Sequence, residues 1–227
     1  MAKFEIVSKY ADAGLELPVR KTAQSAGYDM AAAEDYVIPS VWQMFNEARE
    51  IWPVKDDEFV TLEQMAEFTK QTGCKPTLIS TGMKCFLNPD SWLQLSMRSS
   101  SPLKYWLMMA NGIGVIDADY YDNQDNEGEI FFQIYNLSPF NIQIKKGETI
   151  GQGVVLPFRT TFDDALAPKP MARAGGFGST DNTPPPPPPL PDYLKYSDSE
   201  PVLLGDFPDT PETKQAALDA FNESISS

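Results

Sequence analysis

The chain predicts an all-β fold, a barrel or sandwich, interrupted once by helix. Three observations carry this expectation. Short runs of alternating apolar residues recur at 3–8 (KFEIVS), 78–86 (LISTGMKCF), 92–97 (WLQLSM), 129–136 (EIFFQIYN), 140–145 (FNIQIK) and 148–158 (ETIGQGVVLPF). Gly, Pro and Asn punctuate the runs, as they do where short strands are joined by turns. Only residues 40–75 leave the period of two for a helical one.

Taken in order, KFEIVS opens the fold as a strand, and the next strong departure is VWQMFNEAREIW. There Trp42, Phe45, Ala48, Arg49 and Trp52 recur at helical spacing. Pro53 and an acidic turn stop that helix. Thr61-Leu62-Glu63-Gln64 then has the form of a capping box, opening a second helix that ends at Gly73. The segment 40–75 is therefore expected to be a helical-hairpin insertion. Trp42 and Trp52 are expected to pack it onto the barrel, unless they form a surface for a protein partner or a neighbouring subunit. Beyond residue 180, DNTPPPPPPLPD (181–192) is a polyproline linker, a stiff rod without internal hydrogen bonds. Residues 193–227 are an acidic, sparsely apolar tail. Asp209 or Thr210, followed by Pro211, could open one short helix there.

With 227 residues, 42% of them hydrophobic, the chain can bury one substantial core. Its net charge is −14, and half of that sits in 181–227, where nine acidic residues face two basic ones. Such a surface repels nucleic acid and anionic lipid. The two cysteines, Cys74 and Cys85, are too few for a disulfide framework and read as reduced thiols. MAKFEIVSKY has no apolar leader, and no run is long enough to span a membrane. The expectation is a soluble cytoplasmic protein. Histidine is absent, so imidazole relays and imidazole-bound metals are excluded. Chemistry must come from carboxylates, hydroxyls, Arg, backbone amides or a metal carried in by a substrate.

Five unusual segments stand out, four of them read as functional and SAGYDM (25–30) as mostly structural. In NGIGVIDADYY (111–121) a turn-forming Asn-Gly precedes a short β-branched stretch and two carboxylates. This reads as a binding hairpin with an acid at its rim. Asp117 and Asp119, two apart on extended chain, are expected to share one face, with Tyr120 on the other. In MRSSSPLK (97–104) a strand is expected to end, with Pro102 stopping further pairing. Arg98 there offers a planar fork of donors to phosphate oxygens, and Ser99 and Ser100 add hydroxyls. In KKGETIGQG (145–153) Gly147 makes a turn, Ile150 faces the core, and Gln152 is either a ligand-binding amide or a buried, hydrogen-bonded one. SAGYDM (25–30) contributes Asp29. RAGGFGST (173–180) is too glycine-rich for a regular element and suits a flap whose N–H groups wrap anions.

These five segments, in this order, resemble the five motifs of the trimeric dUTP pyrophosphatases (dUTPases). The resemblance covers residues 1–180. It implies a distorted jelly-roll β-barrel, assembled as a homotrimer with each site drawn from three chains. It also implies dUTP as substrate, with hydrolysis to dUMP and pyrophosphate. By resemblance, the backbone of Gly114, Val115 and Ile116, assisted by Asn111, reads uracil. Tyr120 packs on the sugar and leaves no room for a 2′-hydroxyl. Asp117 holds the attacking water. Arg98, Ser99, Ser100 and Gln152 hold phosphates, with Ser99 near the bridging oxygen that is broken. Phe177 lids the base, while Arg173, Gly178 and Ser179 reach the terminal phosphate. Mg²⁺ rides mainly on the substrate phosphates and water, with no direct protein ligand; Asp29 steadies Arg98 or a water on the metal. The sequence departs from the common family form in a shorter Arg173–Gly175 spacing, in the extra QDNEG after Asn123, and in Asp181 after Thr180. Two other readings stay open. A dCTP deaminase shares the fold but would lack the flap. A nucleotide-gated, protein-binding regulator would use the site as a switch.

Overall fold

The computed structural model describes residues 2–52 and 59–161. The expected flap (173–180) with Arg173, Phe177, Gly178 and Ser179, the linker (181–192), and the tail (193–227) with its helix lie outside the described residues. In chain order the strands and helices are β1 (Lys3–Ile6), β2 (Tyr28–Ala31), β3 (Tyr36–Ile38), α1 (Val41–Ile51), α2 (Leu62–Thr72), β4 (Thr77–Ser80), β5 (Met83–Phe86), β6 (Ser91–Ser96), α3 (Ser100–Tyr105), β7 (Leu107–Met109), β8 (Gly114–Ile116), β9 (Phe131–Asn136), β10 (Ile142–Ile144) and β11 (Thr149–Pro157). Single 3₁₀ turns occur at Ser8–Tyr10 and Ala118–Tyr120. The fold is built mostly of sheet, as expected for the jelly-roll class. No helix among the described residues is long and apolar enough to cross a membrane.

The strands pair antiparallel in four groups: β1 with β5, β3 with β10, β2-β11-β6-β8, and β4-β9-β7. Alternation decides which side chains enter the core. Along β9, Phe132, Ile134 and Asn136 point inward while Phe131, Gln133 and Tyr135 lie nearer the surface. Phe132 and Ile134 meet Met30, Ile79, Leu93, Leu95 and Ile130 in one cluster. Each such side chain contributes about 1.5–3 kcal/mol by leaving water. Asn136 is also fully buried, and its amide donates to the Ile38 carbonyl at 3.0 Å and to the Phe140 carbonyl at 2.6 Å. The polar group is thereby satisfied and β9 is tied to the loops beside it.

Local chemistry also explains the helices. The Thr61 side chain accepts from the Gln64 N–H and the Gln64 side chain accepts from the Thr61 N–H, completing the expected capping box. Gly73 closes α2 in the left-handed conformation, at φ 69°. The packing of the tryptophans differs from expectation. Ala48 and Val41 are the buried residues of α1, while Trp42 is 65% exposed and only its indole N–H is tied down, donating to the Leu137 carbonyl at 3.1 Å. Trp52 packs edge-on against Phe68 of α2, at 6.2 Å between ring centroids. This contact ties the two helices to each other.

Three further expectations are corrected. The run 78–86 is not one strand: it breaks at Thr81-Gly82, so that β4 joins β9 and β5 joins β1. Pro102 does not terminate a strand; it lies in the first turn of α3, where its missing N–H costs nothing. The hairpin expected at 111–121 is not formed: only Gly114–Ile116 is strand, and Ala118–Tyr120 is a 3₁₀ turn. β7 pairs with β9 and β8 with β6, so Ala110–Ile113 turns a corner between two sheets.

Candidate functional site

The register of the four-stranded sheet brings three predicted site residues together. Gln152 of β11 lies opposite Asp29 of β2 on one side and opposite Ser96 of β6 on the other. Two residues beyond Ser96, Arg98 turns back toward Asp29, with 3.6 Å between its Nε and the Asp29 Oδ1. The Gln152 amide lies 3.5 Å from the Met97 carbonyl. Gly27 makes room for this arrangement, because a Cβ there would stand 2.4 Å from the Gln152 Oε1. Asp29 was expected to steady Arg98, and the ion pair has that form. Its other oxygen, Oδ2, is buried and has no hydrogen-bond partner among the described residues. A buried carboxylate oxygen left unpaired is costly, so this one is available to a water or a ligand donor.

Arg98 remains 42% exposed. Together with Ser100 and Tyr105 it lines a cleft of about 390 Å³ that runs to Ile142, Ile144 and Glu148. Ser99, exposed, is the N-cap residue of α3. The first backbone N–H groups of a helix have no intrahelical acceptor. The Arg98–Ser100 corner thus offers a guanidinium, hydroxyls and amides to an anion, while Asp29 is aimed at the guanidinium and leaves part of it to solvent.

The second group of predicted residues lies along β8. This strand is at the edge of its sheet, beyond β6. One row of its backbone N–H and C=O groups therefore has no strand partner among the described residues, and such a row suits a planar ligand with alternating donors and acceptors. Gly114 is buried against Leu95, while the side chain of Val115 is exposed and Ile116 is half-buried. Asn111 is exposed in the preceding corner, where its carbonyl accepts from the Ile113 N–H at 2.8 Å. Asp117 follows β8 in extended conformation and caps the 3₁₀ turn Ala118–Tyr120; its residue is exposed. That turn corrects the expected geometry. Asp119 lies inside it, so Asp117 and Asp119 do not alternate along one extended face.

Within one chain the two groups do not converge. β8 runs antiparallel to β6, with Gly114 opposite Leu95 and Ile116 opposite Leu93. Asp117 therefore stands near the level of Trp92, at the far end of β6 from Arg98. That separation is on the order of 20 Å at ~3.3 Å per extended residue. One chain carries the Arg98–Ser100 corner at one end of the sheet and a carboxylate beside a strand edge, open among the described residues, at the other.

Tyr120 is 6% exposed, and its hydroxyl donates to the Glu129 carbonyl at 2.9 Å. Only a small part of the residue reaches the surface. The loop that follows was legible in sequence only as extra residues. It holds two side chains that sequence reasoning missed, Asn123 and Asn126. Asn123 is buried, and the Asn126 amide donates to the Tyr120 hydroxyl at 2.8 Å. The available signal was the pair of asparagines three apart next to Glu-Gly, a pattern suited to side-chain turns. Among the described residues no group of three or more His, Cys, Asp or Glu could hold a metal ion.

No family model matches the chain. It is 37% identical to a deoxyuridine 5′-triphosphate nucleotidohydrolase of Lactococcus lactis, over 78% of this chain and 95% of that protein. A Bartonella henselae protein of the same name is 30% identical, over 74% of this chain and 77% of its own length. Among solved structures, a dUTPase from Streptococcus mutans superposes with a TM-score of 0.53 at 33% identity, covering 70% of this chain and 97% of that one. Similarity at this level, along almost the whole of the Lactococcus protein, shows that this chain belongs to the dUTPase family.

Proposed function

We propose that the protein hydrolyses dUTP to dUMP and pyrophosphate at sites shared between subunits of a homotrimer. The observation that carries the shared site is the separation of Asp117 from the Arg98–Asp29–Gln152 cluster along one sheet. A triphosphate held at Arg98 has no route to Asp117 of the same chain, but Asp117 of a neighbour can complete it. In this reading the open edge of Gly114–Ile116, with Asn111, pairs with uracil through fixed backbone groups that cannot rotate to accept cytosine. The exposed edge of Tyr120 meets the deoxyribose. Asp117 orients a water and takes its proton as the water oxygen bonds to the α-phosphorus. The bond from that phosphorus to the bridging oxygen breaks, and pyrophosphate leaves with the electron pair. Arg98, Ser99, Ser100 and Gln152 hold the phosphate oxygens, with Ser99 placed at the bridging oxygen. Arg173, Phe177, Gly178 and Ser179 are assigned to closing over the nucleotide. Catalysis is then mainly positioning and electrostatic stabilisation.

Mg²⁺ carried on the triphosphate would withdraw charge from its oxygens, and the unpaired Asp29 Oδ2 fits a water in that ion's shell. The direct test is pyrophosphate release from dUTP, with dCTP and UTP as controls; dCTP turnover equal to that of dUTP would refute the uracil reading. Subunit sharing has its own test. Asp117→Asn and Arg98→Ala should each be inactive, whereas trimers co-assembled from equal amounts of both should recover about a quarter of wild-type activity, one intact site in each mixed ring. No recovery from demonstrably mixed trimers would place both residues in one chain's site.

A further inference from the structure

The loop after Tyr120 is built as a clamp on that residue. The Asn123 amide donates to the Tyr120 carbonyl and to the Asn126 Oδ1, both at 2.8 Å. The Asn123 Oδ1 accepts from the N–H groups of Asp125 at 3.0 Å and Asn126 at 3.2 Å. Asn126 in turn donates to the Tyr120 hydroxyl and accepts from the Gly128 N–H at 3.1 Å. Asp122 and Glu127 adopt left-handed backbone at φ 55° and 59°, a conformation that costs free energy for such residues. Gly128, at φ 81°, comes so near that a Cβ would stand 2.6 Å from the Tyr120 carbonyl oxygen. The loop is also fixed from outside. Glu127 accepts from the Ser8 N–H and hydroxyl at 3.1 and 2.9 Å, and Lys84 pairs with both Asp122 and Glu127. A surface loop that only joined two strands would need none of this. Tyr120 is gripped at its main chain and at its hydroxyl, so the position of its ring is set by the loop.

We propose that Asn123 and Asn126 are positioning residues. Acting through Tyr120, they fix the gap between its ring and the sugar, and so set the preference for deoxyribose over ribose. This rests on the reading of Tyr120 as the sugar-facing residue.

The test is the ratio of kcat/KM for dUTP to that for UTP, measured on full-length protein. Tyr120→Ala should abolish most of the preference. Asn126→Ala should lower the ratio roughly five- to tenfold, the worth of one lost buried hydrogen bond, chiefly through a fall in the UTP KM. In a Tyr120→Phe background the same substitution should change the ratio by less than about twofold, because a residue acting through the hydroxyl is non-additive with its loss. Should Asn126→Ala fail to fold, Asn126→Asp decides, since it keeps the acceptor for Gly128 but has no donor for the phenol. A preference that survives Tyr120→Ala would overturn the sugar reading and the proposal with it. A preference lost in Tyr120→Ala but intact in both Asn126 variants, or fully additive effects in the double variant, would overturn the positioning role alone.

Discussion

At the Arg98 end of the four-stranded sheet, the site depends on strand register; at the Asp117 end it depends on one loop and one strand edge. Asp29, Gln152 and Ser96 are neighbours because three strands pair in a fixed register. A slip of one residue would send Gln152 into the core. Asp117 follows directly on the β8–β6 pairing, but that pairing is three residues long, and Tyr120 lies beyond it. Their positions come from a 3₁₀ turn and from asparagine side chains that imitate backbone. The difference teaches where each end is vulnerable. The Arg98 end should fail by loss of packing, and the Asp117 end by loss of discrimination or chemistry in a protein that remains folded.

The strongest test of this contrast is Asp117→Asn, which keeps shape and folding but removes the acceptor for the water's proton. Turnover of dUTP should drop ~10²–10⁴-fold with binding retained; near-normal kcat in a steady-state assay would remove Asp117 from that role. Next, Gly151→Ala attacks the register end. A Cβ there would stand 2.2 Å from the Phe132 ring and 2.8 Å from the Ser96 carbonyl oxygen. We expect about 1–3 kcal/mol of destabilisation in chemical denaturation, and an unchanged midpoint would contradict the packing described. Gly27→Ala is gentler, because the group it strikes is the end of the Gln152 side chain. KM for dUTP should rise by about tenfold, the loss of one hydrogen bond to a charged phosphate, with thermal stability nearly unaltered. A fall in melting temperature without a change in KM would mean that Gly27 serves the fold alone.

The smallest effect concerns pH. The hydrogen bonds from the Ser8 N–H and hydroxyl hold the Glu127 carboxyl below its ordinary value, and the Asp122 partner raises Lys84. A depressed carboxyl stabilises above its unfolded value and loses that contribution as pH falls through the folded one. A raised lysine contributes below its unfolded value and loses it as pH rises through the folded one. The clamp's anchorage should therefore be flat between about pH 5 and 10 and weaken only in acid below that window or in strong alkali. Hydrogen exchange of amides 122–128 along a pH series checks this, after correction for intrinsic rates. Protection that declines between pH 6 and 8 would break the account.

What could be read from the sequence follows the range of the forces involved. The capping box at Thr61 and Gln64, the stop at Gly73, the turn at Gly147 and the inward direction of Ile150 are set within a few residues, and each appears as expected. The approach of Asp29 to Arg98 was also expected, from the resemblance. The separation of β7 from β8 was not legible, because Asn-Gly between two short apolar runs is the local signature of a hairpin. Only β9 and β6, each claiming one of the two strands, decide otherwise. Asp119 was misplaced for a related reason: Asp-Ala-Asp-Tyr carries no signal that distinguishes a continued strand from a 3₁₀ turn. The hydrogen bond from Asn126 to the Tyr120 hydroxyl is visible only once the loop has closed.

The edge of β8, open among the described residues, has a cost that bears on solubility. An unpaired strand edge is a template on which another chain can add, and that route leads to aggregation. Here the template is three residues long, too short for a stable foreign ladder. Asp117 and Asp119 follow it directly, adding negative charge at its end, and the chain as a whole carries −14. That shortness, with the negative charge beside it, works against pairing of this edge with copies of the same chain.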